Sequence, residues 1–273
     1  MKEKELIIFG EKINTVNNEV ATALIKRDSE FFRKLTISQI DSGIVDIIDV
    51  NVGSDLEIEP DNMRWVIEIV EDACRNKASL SLDSSYPKTI IAGVEKIKGR
   101  NISFINSITL IESRYKELLP LAKEYNLNII ALPIDKNGIP DSADKRLSLA
   151  WKMAELLKDN NISLDKLYID CIIEPVSISS NTALVALDTV SKVKKNLPEV
   201  KTFICLSAIS FGLPNRKLVN RNFLTMLMEK DIDAIILDPL DTELVSNLYS
   251  VNLLLGKDEN CLKYLKYIRN RSI

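Results

Sequence analysis

Short apolar runs in this 273-residue chain end repeatedly in side chains that donate or accept hydrogen bonds. A carboxylate accepts two hydrogen bonds from adjacent N–H groups, whereas a carboxamide both donates and accepts. Such groups suit the recognition of a flat heterocycle with a mixed polar edge. Each can also cap a helix or form a turn, a common role of Asp, Asn and Ser. The candidate residues are Glu11, Asn14, Asp49, Asn51, Asp83, Asn106, Asp170, Ser207 and Asp238.

The chain contains no histidine, and this excludes several kinds of chemistry. Ser-His-Asp sites, Cys-His sites and imidazole metal ligands are impossible without it. No side chain has an unperturbed pKa near neutrality. Any reaction must use Asp, Glu, Asn, Ser, Lys, Arg, Tyr or Cys.

Three classes of protein could use these polar groups. A glycosidase needs two carboxylates across its pocket and usually has aromatic platforms. Aromatic residues make up only 6% of the chain, and Trp65 and Trp151 fall in predicted helices. An enolising Mg²⁺ enzyme needs carboxylate ligands and a Lys or His base, and Lys12 lies just beyond the first predicted strand. The third class holds a flat polar ring by hydrogen bonds, for binding or for group transfer.

The elements that must position these residues alternate along the chain. Eight nearly continuous apolar segments are typical of strands buried on both faces of a parallel sheet. Eight strands alternating with helices predict an α/β fold, a single (β/α)8 TIM barrel, with a doubly wound open sheet as the main alternative. The predicted strands are Leu6–Phe9, Val45–Val52, Ser79–Leu82, Ile102–Ile105, Asn128–Leu132, Leu167–Ile173, Thr202–Leu206 and Ala234–Leu237.

Segments with helical periodicity lie between the predicted strands. One opens at Pro60, and another is capped by Asp241 or Thr242. No linker divides the chain, so we expect one domain over residues 1–273. In a barrel the active site lies at the C-terminal ends of the strands, where the candidate residues fall. The other predicted helices are Glu112–Tyr125, Ser142–Asp159, Asn181–Lys195, Asn215–Lys230 and Glu259–Asn270.

Composition narrows the expected partners and location. The net charge of −3 does not indicate a nucleic acid or an anionic membrane as a partner. The apolar runs are too short to span a bilayer, and the N-terminus lacks the features of a signal peptide. The cysteines form no CxxC pair and fit a reducing compartment. We therefore expect a cytoplasmic protein with no membrane or nucleic-acid partner. The four cysteines are Cys74, Cys171, Cys205 and Cys261.

The strand-end motifs resemble those of a known family. The segment at 10–14, Gly-Glu-Lys-Ile-Asn, resembles the Gly-Glu-Arg-Ile-Asn that opens the pterin-binding barrel of methyltetrahydrofolate:corrinoid methyltransferases. The family's Asp-Leu-Asn-Val-Gly, Leu-Asp-Ser-Thr, Ile-Asn-Ser-Thr and Tyr-Ile-Asp are similar to the segments at 49–53, 82–85, 105–107 and 168–170. Residues 215–224 resemble its Asn-Arg-Pro-Leu-Ile-Asn-Arg-Thr-Phe-Leu. Each motif is short, but their order is specific, and the resemblance runs essentially end to end.

The resemblance implies a pterin-binding site in the barrel mouth. By it, Asp83, Asn106 and Asp170 would hold the pyrimidine edge of the pterin, with Ser207 lining the same pocket. Arg216 would either reach the tail of the folate or be a structural arginine at a helix start. Other residues would line this pocket or buttress its rim: Glu11, Asn14, Asp49, Asn51, Ala208, Phe211 and Asp238.

The same resemblance implies an enzyme of one-carbon metabolism. It would move a methyl group between N5 of 5-methyltetrahydrofolate and the cobalt of a corrinoid such as cobalamin, in either direction. Tetrahydrofolate would be a substrate, and a partner protein would carry the corrinoid. This chain would then bind no metal of its own. The resemblance also implies a homodimer.

One departure from the family pattern concerns the reacting atom. The family typically has Leu-Ser-Asn after strand 7, with the Asn approaching N5, whereas this chain has Leu206, Ser207 and Ala208. Losing a hydrogen bond to a developing charge commonly costs ~2–4 kcal/mol of barrier. Phe211 also replaces a polar residue of some members. Another group or water could serve N5, the acceptor or direction could differ, or catalysis could be impaired.

Two alternatives to this enzyme remain open. A non-catalytic pterin-binding protein is supported by Ala208. A dihydropteroate synthase-like enzyme would need a basic anion site near the last strand. It is disfavoured because strand 8 leads into the acidic segment Asp238-Pro239-Leu240-Asp241.

Overall fold

Eight parallel strands close into a barrel in chain order in this computed structural model, which describes residues 6–99, 101–172 and 174–271. Each strand pairs with the next, and β8 pairs with β1. This confirms the predicted TIM barrel and excludes the open doubly wound sheet. The strands are β1 (Ile7–Asn14), β2 (Ile47–Asn51), β3 (Ser79–Asp83), β4 (Ile102–Ile108), β5 (Asn128–Ala131), β6 (Leu167–Asp170), β7 (Lys201–Cys205) and β8 (Ala234–Leu237).

Helices surround the barrel and connect its strands. The helix predicted from Pro60 and the one capped by Asp241 are confirmed, and Asp241 accepts hydrogen bonds from the backbone N–H groups of Glu243 and Leu244. The helices are α1 (Asn18–Lys26), α2 (Ser29–Asp41), α3 (Glu59–Cys74), α4 (Pro87–Lys96), α5 (Glu112–Tyr115), α6 (Leu118–Glu124), α7 (Ala143–Asp159), α8 (Thr182–Asn196), α9 (Arg216–Glu229), α10 (Thr242–Leu254) and α11 (Leu262–Arg271).

The helix predicted over Glu112–Tyr125 is two helices, α5 and α6, separated by Lys116 and Glu117. A continuous helix would need a hydrogen bond from the backbone nitrogen of Pro120 to the carbonyl of Lys116. Proline has no N–H to donate, and its ring clashes with that carbonyl. The chain therefore begins a new helix that places Pro120 in the first turn.

Strand β1 is longer than predicted, running to Asn14 instead of ending at Phe9. Its pairing with β2 shifts between Gly10 and Ile13, so that one extra residue of β1 bulges from the ladder. A bulge changes the direction of side chains that would otherwise alternate between the two faces of the sheet. It explains why Glu11 and Lys12, although adjacent, both line the same cavity.

Strand β6 is shorter than predicted and ends at Asp170. Ile172 has a backbone φ of 46°, which is incompatible with a strand. Ile173, the last residue of the predicted strand, lies outside the described residues. The turn that starts here directs the chain away from the barrel immediately after Asp170.

Aromatic rings fill the barrel interior below its C-terminal mouth. Phe9 makes edge-to-face contacts with Phe104 and Phe203, with ring centroids 4.8 and 5.2 Å apart. Phe104 packs in the same way against Tyr168 at 4.9 Å. Such pairs add to the stabilisation from apolar burial. Phe203 and Ile236 also line the cavity above, so this cluster forms the packed floor beneath the polar residues.

Strand register places four predicted residues side by side. Asn14 pairs with Asn51, Asn51 with Asp83, and Asp83 with Asn106. Neighbouring strands lie about 4.8 Å apart, so these residues form a continuous row at the C-terminal edge of β1 to β4.

The described residues include no helix long and apolar enough to cross a membrane. Within the same ranges, no group of three or more acidic or thiol side chains is placed to hold a metal ion. The four cysteines are free thiols.

Candidate functional site

A cavity of about 860 Å³ opens at the C-terminal ends of the strands. Every residue predicted to bind the ligand or to line its pocket lines this cavity, apart from Asn51. These residues are Glu11, Asn14, Asp49, Asp83, Asn106, Asp170, Ser207, Ala208, Phe211, Arg216 and Asp238.

Asn51 lies behind this surface because its side chain is turned toward its neighbours. Its amide nitrogen donates to Asp83 Oδ2 at 2.9 Å, and its side-chain oxygen accepts from the backbone N–H of Gly53 at 3.0 Å. Asn51 therefore acts on the cavity by orienting Asp83.

Asp49 and Asp83 are carboxyl groups on adjacent strands, the first buried and the second half-buried. Burial and the negative charge of Asp83 raise the pKa of Asp49 well above its ordinary value. Burial also raises the pKa of Asp83 to about 6, although the hydrogen bond from Asn51 opposes this rise. Asn106 Nδ2 lies 3.4 Å from Asp49 Oδ1. Burial and the neighbouring charge thus favour the protonated form of Asp49 beside the Asp83 carboxylate.

Asp170 approaches the same space from β6, on the far side of Asn106. Burial raises its pKa to about 6, against the opposing effects of the Ile172 N–H and the positive charge of Arg146. Its Oδ1 accepts a hydrogen bond from that N–H at 2.8 Å. Asp83, Asn106 and Asp170 thus supply two carboxylates and one carboxamide to a single wall of the cavity.

A second wall is built from β1, β7 and β8. Ser207 Oγ donates to Glu11 Oε2 at 2.8 Å, and Lys12 Nζ lies 2.9 Å from Asp238 Oδ2. Burial raises the pKa of the Glu11 carboxyl, whereas the Ser207 hydrogen bond lowers it. Because Lys12 forms an ion pair with Asp238, it is not the isolated base that an enolising enzyme needs.

The alternative roles of these residues are partly realised. Helix capping does not explain Asp83 or Asn106, because α4 and α5 begin only after Tyr86 and Ile111. Several other candidates use one side-chain oxygen to bind the backbone N–H two residues later, as turn formers do. The distances are 2.9 Å for Asn14, 3.0 Å for Asn51, 2.8 Å for Asp170 and 2.9 Å for Asp238.

Arg216 is held against the wall by its own protein. It donates to the backbone oxygen of Ser207 at 2.8 Å and to Ser210 Oγ at 3.1 Å, and it lies over the ring of Phe211. These contacts favour the structural role for Arg216. Ala208 lies in the same turn, Leu206–Ser210, and presents only a methyl group to the cavity.

The sequence analysis missed two arginines that lie behind cavity-lining residues. Arg114 donates to the backbone oxygens of Ser84 and Ser107, at 3.5 and 3.2 Å, each one residue after Asp83 and Asn106. Arg146 is fully buried and donates to the backbone oxygens just after Asp170. Both lie in helices, where a single arginine gives no sequence signal of burial.

Asn220 is a further cavity residue that the sequence analysis did not single out. It lies inside the segment 215–224 that carries the family resemblance, which is the signal that could have identified it. It lines the cavity, and its side-chain oxygen is buried without a hydrogen-bond partner in the described part of the chain.

Comparison of the sequence with known proteins identifies a family and several relatives of this chain. The profile of the family described as "Pterin binding enzyme" matches residues 10–238. The chain is 30% identical over 270 residues to the methylcorrinoid:tetrahydrofolate methyltransferase of Eubacterium limosum, covering 98% of both chains. The chain therefore belongs to the pterin-binding enzymes. Within that class it is a member of the methyltetrahydrofolate:corrinoid methyltransferase family.

Other relatives match more distantly or over a smaller part of their length. Methionine synthase of Mycobacterium leprae is 29% identical over 169 residues, which are 58% of this chain but 14% of that protein. The dihydropteroate synthase of Thermus thermophilus superposes with a TM-score of 0.65 and 12% identity, covering 93% of this chain and 95% of that chain. The Yersinia pestis enzyme gives 0.64 and 15%, covering 92% and 93%. At these identities the solved structures support the fold alone.

Proposed function

We propose that this chain is an enzyme that transfers a methyl group between N5 of tetrahydrofolate and the cobalt of a corrinoid carried by another protein. The observation that carries this proposal is the convergence of Asp83, Asn106 and Asp170 on one wall of a single cavity. A pterin has a 2-amino group, an N3–H and a 4-oxo group along one edge. The two carboxylates suit the N–H donors, and the Asn106 amide suits the oxo acceptor.

We assign the direction from the methylated corrinoid to tetrahydrofolate, following the name of the Eubacterium limosum relative. In that direction the N5 lone pair forms the new N–CH₃ bond as the cobalt–carbon bond breaks. Both electrons of that bond stay on cobalt, which becomes Co(I). N5 is left with a positive charge and must lose its proton to complete the reaction.

The rim of the cavity supports a protein partner that brings the corrinoid. Each of seven βα loops carries at least one exposed large apolar side chain, and such apolar surface commonly marks an interaction site. The apolar surface of a protein that carries the corrinoid would suit this ring of side chains around a polar cavity. The exposed side chains are Val16, Leu56, Ile58, Ile111, Ile139, Ile178, Phe211 and Leu240.

A non-catalytic pterin-binding protein is the second candidate, and Ala208 is the observation that favours it. The main proposal includes three further expectations from the sequence. They are a homodimer, a cytoplasmic location and a single domain over residues 1–273.

Two measurements test the proposed function. Anaerobic titration with tetrahydrofolate should show saturable binding that Asp83→Ala and Asn106→Ala abolish. Asp159→Ala, which changes an exposed carboxylate at the end of α7, is the matched control and should bind as wild type. Lack of wild-type binding would refute the pterin site.

Transfer is then measured with a methylated corrinoid protein, by the conversion of its methyl–cobalt absorption spectrum to that of Co(I). Conversion that requires both tetrahydrofolate and this chain would support the enzyme. Binding without conversion by any supplied corrinoid protein would favour the non-catalytic alternative.

A further inference from the structure

Glu11 and Ser207 form a hydrogen-bonded pair on the wall facing the residues assigned above to the pyrimidine edge. Glu11 belongs to β1, and Ser207 lies in the turn after β7. Strand β8 runs between β1 and β7 in the closed barrel, directly opposite β4, which carries Asn106. A flat bicyclic ring held by its pyrimidine edge near β3 to β6 must point its second ring, which contains N5, away from that edge.

We propose that Glu11 is the group that takes the proton from N5 of the bound pterin, and that Ser207 positions its carboxylate. This inference rests on the proposed function, and it names the residue that receives the proton released by methyl transfer. The carboxylate of Glu11 becomes a carboxylic acid as N5 changes from a methylated ammonium to a neutral tertiary amine. In the reverse direction, the same acid returns the proton to N5 before the N–CH₃ bond breaks.

The bulge in β1 is what makes Glu11 available for this role. It turns both Glu11 and Lys12 toward the cavity, but Lys12 is paired with Asp238 at 2.9 Å. Glu11 is hydrogen-bonded instead to a neutral hydroxyl, at 2.8 Å. A carboxylate without a direct ion pair retains more of its ability to bind a proton, because no cation in contact with it stabilises its charged form.

The surroundings of Glu11 raise the proton affinity of its carboxylate above that of a free carboxylate. Burial raises its pKa above the ordinary value, and the charge of Asp238 acts in the same direction. The Ser207 hydrogen bond and the positive charges of Lys12 and Arg216 lower it. Such tuning suits a group that accepts a proton and later gives it up. The other titratable groups facing Glu11 are Asp49 from β2 and the Cys205 thiol from β7, whose pKa values Glu11 helps to raise.

Ala208 is the residue next to Ser207 and faces the same cavity with a methyl group. Around Ala208, the polar groups of this wall are therefore the hydroxyl of Ser207 and the carboxylate of Glu11.

The test compares Glu11→Gln, Glu11→Asp and Ser207→Ala in methyl transfer from a methylated corrinoid protein to tetrahydrofolate, with kcat and KM measured across pH. Glu11→Gln should lower kcat about 100-fold and abolish the acid-side limb of its pH profile. Glu11→Asp should restore part of the rate. Ser207→Ala should move that limb to higher pH, because the hydrogen bond that lowers the pKa of Glu11 is lost. The dissociation constant for tetrahydrofolate should change by less than about threefold.

Glu95→Gln makes the same chemical change at an exposed position of α4 and should behave as wild type. An active wild type combined with an unaltered rate and pH limb in Glu11→Gln would overturn the role of Glu11. If Asn220→Ala loses turnover while Glu11→Gln keeps the wild-type rate, the group that contacts N5 is Asn220 and not Glu11.

A wild type that binds tetrahydrofolate but transfers no methyl group would instead refute the proposed function. If Glu11→Gln fails to fold, the direction of the pH shift in Ser207→Ala decides the inference. A shift to higher pH supports it, and an unshifted limb contradicts it.

Discussion

The side-chain amide of Asn51 donates a hydrogen bond to the carboxylate of Asp83 across 2.9 Å, from the adjacent register position of the barrel. This contact fixes the orientation of the carboxylate and stabilises its charged form. Because the other end of Asn51 is tied to the backbone of Gly53, the donor cannot rotate away without losing a second bond. Asn51 therefore orients the Asp83 carboxylate in the proposed pterin site without lining that cavity itself.

Asn51→Ala should weaken tetrahydrofolate binding about 10- to 100-fold, since a hydrogen bond to a charged group is worth roughly 1.5–3 kcal/mol. The pKa of Asp83 should also rise further. Anaerobic fluorescence titration at pH 7.5 measures the dissociation constant. Asn196→Ala, which removes an exposed amide that bonds only within α8, serves as the control. Equal dissociation constants for the two variants would contradict this role of Asn51.

Binding of tetrahydrofolate should weaken as the pH falls below about 6. The pKa values of Asp83 and Asp170 are both raised to about 6 in the free protein. In the proposed site their charged forms accept hydrogen bonds from the pterin N–H groups, so protonation should compete with binding. Well below this pH each carboxylate should weaken binding up to about tenfold per pH unit. Calorimetric titration across pH 5–8 measures this slope. In Asp83→Asn, one fewer proton should compete with binding, so the slope should be smaller by up to about tenfold per pH unit.

Asp49→Asn should make the stability of the protein less sensitive to pH. The pKa of Asp49 is raised well above its ordinary value, so this group stays protonated in the folded state where the unfolded chain is ionised. The free energy of unfolding should therefore fall as the pH rises above the unfolded pKa, by up to about 1.4 kcal/mol per unit. Urea unfolding at pH 4.5 and 7.5 should show a smaller loss in the variant. Parallel losses in both proteins would contradict the raised pKa.

The order of the strands and the end of the barrel that bears the site were predictable from the sequence. Short apolar runs such as Ala234–Leu237, repeated between segments of helical period, are typical of strands buried on both faces. Since all parallel strands end at the same edge, Asp83 and Asn106 had to share one mouth. Chain order alone therefore brought the candidate residues together.

Contacts that depend on register and on distant segments were not predictable. The bulge at Glu11 and Lys12 produces no distinctive local pattern, and Lys12 meets Asp238 across 226 positions of sequence. The sequence also could not show that Asn51 faces Asp83 instead of the cavity. That choice is decided by strand pairing and by the turn at Gly53, which act together only in the closed barrel.

Introducing charge on the apolar rim should weaken the interaction with the corrinoid protein. Val16 and Ile178 are 83% and 75% exposed on loops after β1 and β6. Val16→Glu and Ile178→Glu should raise the KM for the methylated corrinoid protein by about tenfold or more, since desolvating a charge at an interface is costly. The dissociation constant for tetrahydrofolate should not change in Ile178→Glu, because Ile178, unlike Val16, does not line the cavity. Leu254→Glu, equally exposed at 82% but at the end of α10, is the control. A similar KM in all three variants would argue against docking at this rim.

Arg146 should be essential both to stability and to the placement of Asp170. This residue is 1% exposed, and its guanidinium donates to the backbone oxygens of Pro140, Cys171 and Ile172, at 3.0, 2.8 and 2.7 Å. Arg146→Met leaves these three oxygens without their donor in a buried region, which should cost roughly 3–5 kcal/mol in the free energy of unfolding.

Arg146→Lys should recover only part of this loss, because an ammonium group cannot reproduce the planar fork of the guanidinium. Urea unfolding measures the stability, and titration of the folded variant with tetrahydrofolate should show weaker binding as the chain after Asp170 loosens. Arg64→Met removes an exposed arginine paired with Asp61 and should change stability by less than about 1 kcal/mol. If the two methionine variants unfold at the same urea concentration, Arg146 does not hold the β6 loop. The position of Asp170 would then depend on the hydrogen bond from the Ile172 N–H alone.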